Sequence, residues 1–165
     1  MKRILLLAAI FIAGCTQQQS DQLTQQQKDK IKNELKVISD SIIARFERLD
    51  TDGAMQYYWD SPDFIGVNPD GSRFDFQAMK KAHVDLFSST ASLKILVTRR
   101  DFVVLTKDIA IEASVLKAVI TPKSGSKMVF DPNSLTLVFQ KIVGQWKVIL
   151  SHQSASLAME KAGRK

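Results

Sequence analysis

Residues 139–154 read FQKIVGQWKVILSHQS, and this stretch does most to decide the fold. Gly144 lies between two segments rich in β-branched and aromatic residues, a pattern typical of antiparallel strands joined by a tight turn. We predict these strands over residues 134–143 and 145–156. Because side chains alternate between the two faces of a strand, every second residue of the later strand shares one face. That face is expected to carry Trp146, Val148, Leu150, His152 and Ser154.

Upstream of this hairpin, the pattern indicates helices first and strands later. Thr24 and Gln27 form a T-x-x-Q capping box that begins a first helix, and apolar residues then recur every three or four positions as far as Leu49. A short second helix is expected from Asp52 and a third from Asp75. Long segments of alternating hydrophobicity follow. This order predicts an α+β fold in which three helices pack on a mostly antiparallel sheet.

The beginning of the chain has a different character from the rest. Lys2 and Arg3 precede an apolar run over residues 4–12, which is too short to cross a bilayer comfortably and is typical of a secretory signal. The run closes with Ile-Ala-Gly-Cys, which resembles the lipobox of bacterial lipoproteins. This resemblance implies that residues 1–14 are removed as a signal peptide and that Cys15 is lipidated at the new N-terminus.

A lipidated N-terminus defines the expected organisation of the protein. Residues 15–27 form a polar, Gln-rich tether, residues 28–157 form one folded domain, and residues 158–165 form a polar tail. The membrane is therefore an expected partner, and the cell envelope the expected location. The residue after the cysteine is Thr16 and not an aspartate, which by the rule for lipoproteins of enteric bacteria implies the periplasmic face of the outer membrane if the host is Gram-negative.

The composition argues against several kinds of function. The formal charge is +6, but basic and acidic residues are interleaved and no basic block contains aromatic residues, so nucleic-acid binding is not expected. Cys15 is the only cysteine, which excludes an intramolecular disulfide, a cysteine nucleophile and a multi-cysteine metal site. The two histidines, His83 and His152, have no metal-ligand spacing. We therefore expect neither a metal nor a cofactor.

The order of elements and the 139–154 stretch together resemble the nuclear-transport-factor-like or SnoaL-like superfamily, whose fold includes ketosteroid isomerase. Other matching phrases are Asp52-Gly53, Asp63-Phe64 and Gly71. The resemblance covers residues 28–157. It implies a cone, in which a strongly curved sheet wraps around an apolar pocket and the helices close it. It also implies a homodimer formed across the sheet, and the β-branched residues on both faces of the 108–121 segment agree with this.

In this family the tryptophan-bearing face of the last strand turns inward, so the resemblance also suggests which residues line the pocket. We expect the lining to include Tyr58, Trp59, Phe64, His83, Phe87, Thr136, His152 and Ser154. Most of the aromatic residues among them also suit an ordinary core, and the hydroxyl groups suit ordinary strand positions.

His152 is the principal candidate for chemistry, because an imidazole titrates near neutrality and can donate a hydrogen bond or act as a general base. Asp63 or His83 would assist it. Each also has a structural interpretation. His152 would be a partly buried residue that holds the open end of the cone together, Asp63 a helix or turn cap, and His83 a hydrogen-bonded residue at the edge of the core.

The chemistry of ketosteroid isomerase does not carry over to this chain. That enzyme needs a carboxylate base and an oxyanion hole made of a tyrosine and a protonated aspartic acid. The turn aligned with the base reads Asn68-Pro69, Ile42 lies near the position of the tyrosine, and residues 135–138 contain no carboxylate. All three parts of the isomerase mechanism are therefore missing.

Three functions remain open on this basis. We favour a lipid-anchored binding module that holds a small apolar ligand or scaffolds a partner. One alternative is an enzyme of the dehydratase, cyclase or hydrolase type that uses His152 with Asp63 or His83. The other alternative is a structural module whose main role is to dimerise through the outer face of the sheet.

Overall fold

The structure, a computed structural model, describes residues 22–159 and confirms the predicted α+β fold. Cys15 and the rest of the predicted signal, most of the tether and the end of the tail lie outside these residues. The helices are α1 (Gln25–Glu47), α2 (Thr51–Met55) and α3 (Phe76–Ser89). The strands are β1 (Ile65–Val67), β2 (Arg73–Phe74), β3 (Thr90–Val104), β4 (Ile109–Pro122), β5 (Met128–Ile142) and β6 (Gln145–Met159). No helix within this range is long and apolar enough to cross a membrane.

The six strands form one curved sheet in the order β2-β1-β6-β5-β4-β3. The four long strands β3 to β6 follow one another as antiparallel neighbours. The short strand β1 adds to the far edge of β6 in parallel, and β2 pairs with β1 in the antiparallel sense. The helices cover the concave face, so the main core lies between α1 and the middle of the sheet.

Local signals in the sequence account for the ends of the helices. The Thr24 side chain accepts from the backbone N–H of Gln27, and the Gln27 side chain accepts from the backbone N–H of Thr24 at 2.8 Å. These bonds satisfy two backbone donors that would otherwise lack partners at the start of α1. The Asp75 side chain caps α3 by accepting from the backbone N–H of Ala78 at 2.8 Å.

The second helix is short, as expected, and ends at Met55. After Met55 the chain makes a turn through Gln56 and Tyr57 and then runs beside β6. There Trp59 N–H donates to the Val148 carbonyl and Val148 N–H donates to the Tyr57 carbonyl, both at 2.9 Å. The N–H groups of Tyr57 and Tyr58 still donate to carbonyls three residues back, and from Trp59 onward pairing with the sheet edge takes over. As a consequence, Tyr58 is held against the sheet and is buried.

A β-bulge in β6 decides which residues of this strand face the core. Val138 of β5 is paired with Leu150, but the next residue of β5 is paired with Val148, so Ile149 is an extra residue. One extra residue reverses the alternation of side chains beyond it. Beyond the bulge, Ser151 is buried and His152 is exposed. The prediction that His152 shares a face with the tryptophan of this strand is therefore wrong.

Candidate ligand-binding cavity

A cavity of about 320 Å³ lies between the helices and the concave face of the sheet. Most of its wall is apolar. Side chains from α1, α3 and the four long strands contribute, among them Ile42, Phe46, Met79, Phe87, Leu116, Phe130 and Leu137. A volume of this size suits a small organic molecule. The polar groups in the wall are few, and their arrangement defines what the cavity can do chemically.

His83 is the nitrogen base of the cavity wall. Its Nδ1 lies 2.9 Å from the Met79 carbonyl oxygen, which can only accept, so Nδ1 carries the proton and Nε2 is a free acceptor. The ring stacks on Phe46 with centroids 4.8 Å apart and meets the edge of Phe87. Burial lowers the pKa of His83, and the bond to the Met79 carbonyl offsets this only in part. The imidazole is therefore neutral at neutral pH.

Glu112, on the inner face of β4, is the acid of the cavity wall. Its side chain is only 2% exposed. One carboxylate oxygen accepts from the Ser39 hydroxyl, and the other accepts from the Ser114 hydroxyl at 2.5 Å. Burial and the negative charge of Glu112 both raise the pKa of the nearby Tyr58, so that its phenol stays protonated. The cavity thus contains a neutral phenol, a neutral imidazole and one carboxylate.

The charge of Glu112 is balanced by an arginine on the neighbouring strand. Arg100 Nε lies 3.0 Å from Glu112 Oε1, although its N–H is not directed at that oxygen, and the arginine side chain is 10% exposed. Arg100 also binds Asp40 of α1 at 2.6 Å, and Lys36 binds the same carboxylate at 2.7 Å. Burial alone would raise the pKa of Asp40, but the hydrogen bonds and charges of these two cations outweigh it and hold the pKa low. The result is a chain of alternating charges that leads from the surface to the cavity.

The outer end of this charge chain lies in a surface groove of about 490 Å³ between α1 and β3. The groove is open to solvent, and its cations already have acidic partners. Besides the ion pairs of Asp40, Arg99 binds Asp101 at 2.7 Å and Lys32 lies 3.9 Å from Asp29. We therefore place the candidate site in the cavity between the helices and the sheet and not in this surface groove.

Asn133, near the start of β5, supplies an unusual polar group to the cavity. Its side chain is buried and lines the wall, and its Oδ1 has no hydrogen-bond partner within the described chain. Ser151 and Gln153 of β6 and Asn68 of the β1–β2 turn also contribute to the wall. The reversal at the β6 bulge is what brings Ser151 and Gln153 inward.

The structure brings only some of the predicted pocket residues together. Tyr58, His83 and Phe87 line the cavity. Phe64 is buried in the core behind Tyr58, with ring centroids 5.8 Å apart, and does not reach the cavity. Trp59 is half-buried beside β6 and is also absent from the wall.

The strand residues of the predicted pocket lie on the opposite face of the sheet. Thr136 is paired with His152, and neither lines the cavity. Ser154 and Asp63 are exposed. The expectation that the His152 ring faces the cavity is therefore wrong. Both interpretations of His152 fail for the same reason, the one as a functional residue and the one as a partly buried residue that holds the open end of the cone together.

Sequence reasoning missed Glu112, Arg100 and Asn133. A signal for Glu112 is present in the sequence, because Ala110, Leu116 and other apolar residues at even positions of β4 share its face. A single acid on an apolar face requires a partner or a function. No comparable pattern predicts that Arg100 or Asn133 points inward, because bulges in β3 and β5 determine which face of the sheet each residue lies on.

Comparisons with known proteins agree with this architecture. Residues 36–159 match the family model of the SnoaL-like domain. A protein assigned as a scytalone dehydratase, from Novosphingobium aromaticivorans DSM 12444, superimposes with a TM-score of 0.75 at 9% identity, covering 86% of this chain and 94% of that one. A type 2 hexachlorocyclohexane dehydrochlorinase superimposes with a TM-score of 0.69 at 8% identity, and the match covers 86% of this chain and 97% of that one.

A third structure is an NTF2-like protein of unknown function from Shewanella oneidensis MR-1, with a TM-score of 0.58 at 17% identity over 75% of this chain and 98% of that one. No curated protein sequence matches this chain significantly. The structural likenesses establish the fold, and the family model covers most of the chain. The protein therefore belongs to the SnoaL-like domain family and has the NTF2-like cone fold.

Proposed function

We propose that this protein binds a small, predominantly apolar molecule in the cavity between its helices and its sheet. The observation that carries the proposal is the cavity itself, a space of about 320 Å³ that the side chains of the surrounding core leave between the helices and the sheet. Two of the structural neighbours are named for small molecules, scytalone and hexachlorocyclohexane, which supports a small-molecule role.

A neutral apolar fluorophore, N-phenyl-1-naphthylamine, tests this function. Its fluorescence should rise when it enters the cavity of the full-length chain in detergent. Ala118→Phe fills the cavity wall from β4 and should weaken binding about tenfold or more, since the added ring occupies the ligand's space. Ala113→Phe is the matched control, because Ala113 lies exposed on the outer face of the same strand. Fluorescence that does not rise, or that both variants leave unchanged, would refute the proposal.

We also propose that the binding domain is held in the cell envelope through lipidated Cys15. Three features at the start of the chain support this anchoring: the charged first residues, the short apolar run and the lipobox-like tetrapeptide. Cys15→Ser should accumulate as an uncleaved precursor that does not label with radioactive palmitate. Continued labelling of that variant would contradict the assignment.

His83 supports a second candidate function, the elimination of water from a bound alcohol. Its unprotonated Nε2 in an apolar cavity suits a general base that removes a proton from carbon. The hydroxyl would then leave as water with the proton that the imidazolium returns, which restores neutral His83. His152 and Asp63 take no part, because they lie outside the cavity. His83→Gln should abolish product formation while fluorophore binding persists; loss of both together would indicate a structural role only.

A further inference from the structure

The charge of the cavity restricts what it can hold. Among the described residues that line it there is no lysine and no arginine. The imidazole of His83 and the phenol of Tyr58 are neutral, so Glu112 is the charged group in the wall. An anionic ligand would lose its hydration, find no cation in the cavity and meet a carboxylate.

A cationic ligand is no better accommodated. The charge of Glu112 already has its partner in Arg100, at 3.0 Å, and its oxygens already accept from the hydroxyls of Ser39 and Ser114. An ammonium group beside this pair would remain an uncompensated positive charge within apolar walls. The cavity therefore suits uncharged molecules.

The hydrogen-bonding groups of the cavity add a second restriction. Asn133 is 8% exposed, and its Oδ1 is buried with no partner in the described chain. Buried carbonyl groups in folded proteins are almost always hydrogen-bonded, either to protein or to water, so a molecule that excludes water from this oxygen must supply the donor itself. His83 Nε2 is a further acceptor without a partner in the described chain. Asn133 Oδ1 therefore points to a donor on the bound molecule, and His83 Nε2 offers a second position that can accept one.

We infer that the cavity selects uncharged molecules that carry a hydroxyl or a similar hydrogen-bond donor on an apolar skeleton, and that Asn133 accepts from that donor. Carboxylic acids, including fatty acids, are excluded as ligands. This inference rests on the proposed binding function and names its ligand class.

A matched set of three probes tests the ligand class on the wild-type full-length chain at neutral pH. The probes are 2-naphthol, 2-methoxynaphthalene and 2-naphthoic acid, which share the naphthalene skeleton. The first carries a hydroxyl donor, the second is the methyl ether and has no donor, and the third is a negatively charged carboxylate at neutral pH. We expect 2-naphthol to displace the fluorophore at a concentration about tenfold lower than the ether, as one additional hydrogen bond allows. We expect 2-naphthoate to be the weakest of the three.

Asn133→Leu tests the residue assigned to this recognition. The variant should bind 2-naphthol no better than the ether, while the affinity for the ether is unchanged. Its melting temperature should not fall, because leucine removes a buried acceptor that lacks a partner. Thr136→Val is the control, since Thr136 lies on the other face of β5. The comparison of probes on the wild type needs no variant and so does not depend on the folding of Asn133→Leu.

The outcomes separate the two proposals. If the fluorophore does not bind, the binding function fails and the ligand class fails with it. If the fluorophore binds but the ether or the carboxylate competes as well as 2-naphthol, the ligand class is overturned and the binding function stands. If 2-naphthol keeps its advantage in Asn133→Leu, the assignment of Asn133 is wrong.

Discussion

At the residue scale, the feature that would cost most to bury if it were incomplete is the ion pair of Glu112 and Arg100. Their strands are neighbours, and the pairing of Arg100 with Ser114 and of Phe102 with Glu112 makes the two charged residues diagonal neighbours on one face. Each charge would be costly to bury without the other. The pair thus allows a carboxylate to stand in an apolar wall.

Replacing Arg100 should therefore be far more damaging than replacing both partners. Arg100→Met leaves Glu112 buried without a cation and should lower the free energy of unfolding by roughly 3 to 5 kcal/mol. The double variant Arg100→Met/Glu112→Leu should recover most of that loss. Urea unfolding followed by circular dichroism measures both. A double variant no more stable than the single one would show that the pair is not the cause.

His83 should make stability depend on pH in mildly acidic solution. Burial lowers the pKa of His83 below its ordinary value of 6.5. Below about this pH the unfolded chain binds a proton that the folded protein does not yet bind, so the free energy of unfolding decreases as the pH falls. His83→Gln should flatten this part of the curve, while His152→Gln, at an exposed position, should not. Identical curves for wild type and His83→Gln would contradict the burial of this ring.

At the element scale, the bulge at Ile149 decides the polarity of the cavity wall. Up to Val148 the inward residues of β6 are apolar, and beyond the extra residue the inward positions are Ser151 and Gln153. One inserted residue thereby places a serine and a glutamine in the cavity and a histidine on the outside.

Substitutions on the two sides of β6 should separate these faces. Ser151→Leu adds bulk to the cavity wall and should weaken fluorophore binding, whereas His152→Leu should leave binding unchanged. Both affinities follow from the fluorescence titration. Weaker binding in His152→Leu alone would mean that β6 keeps simple alternation in solution, without the bulge.

At the scale of the whole molecule, the outer face of the sheet has apolar side chains in solvent. Leu96 is 62% exposed and Val103 is 55% exposed, both on β3, while their sequence neighbours pack towards the helices. Half-buried Val115 and Val119 continue the apolar character on β4. Exposed apolar groups of this kind are typical of interaction surfaces.

We therefore predict a homodimer formed through the outer face of the sheet. Light scattering should report a dimer for the wild type and a monomer for Leu96→Glu/Val103→Glu, because the buried charges would oppose association. Val37→Glu, on the exposed side of α1, should remain dimeric. A monomeric wild type at high micromolar concentration would refute the interface.

The sequence by itself determined the elements that depend on local interactions. Caps at Thr24 and Asp75, the turn at Gly144 and the hydrophobic period of α1 involve residues a few positions apart, so their signals are readable along the chain. The order of these elements then determined the α+β cone. The inward positions of Tyr58 and His83 also followed from this order together with the family resemblance.

Only the tertiary structure decided the cavity's chemistry. Which face His152 takes depends on the extra residue Ile149, and a bulge reverses the faces of a strand without altering its composition. The partnership of Glu112 with Arg100 depends on the register between two strands, which is set by packing over their whole length. Whether the core closes completely or leaves a cavity is likewise a property of all its side chains together, because the unfilled volume is what remains after every helix and strand has packed.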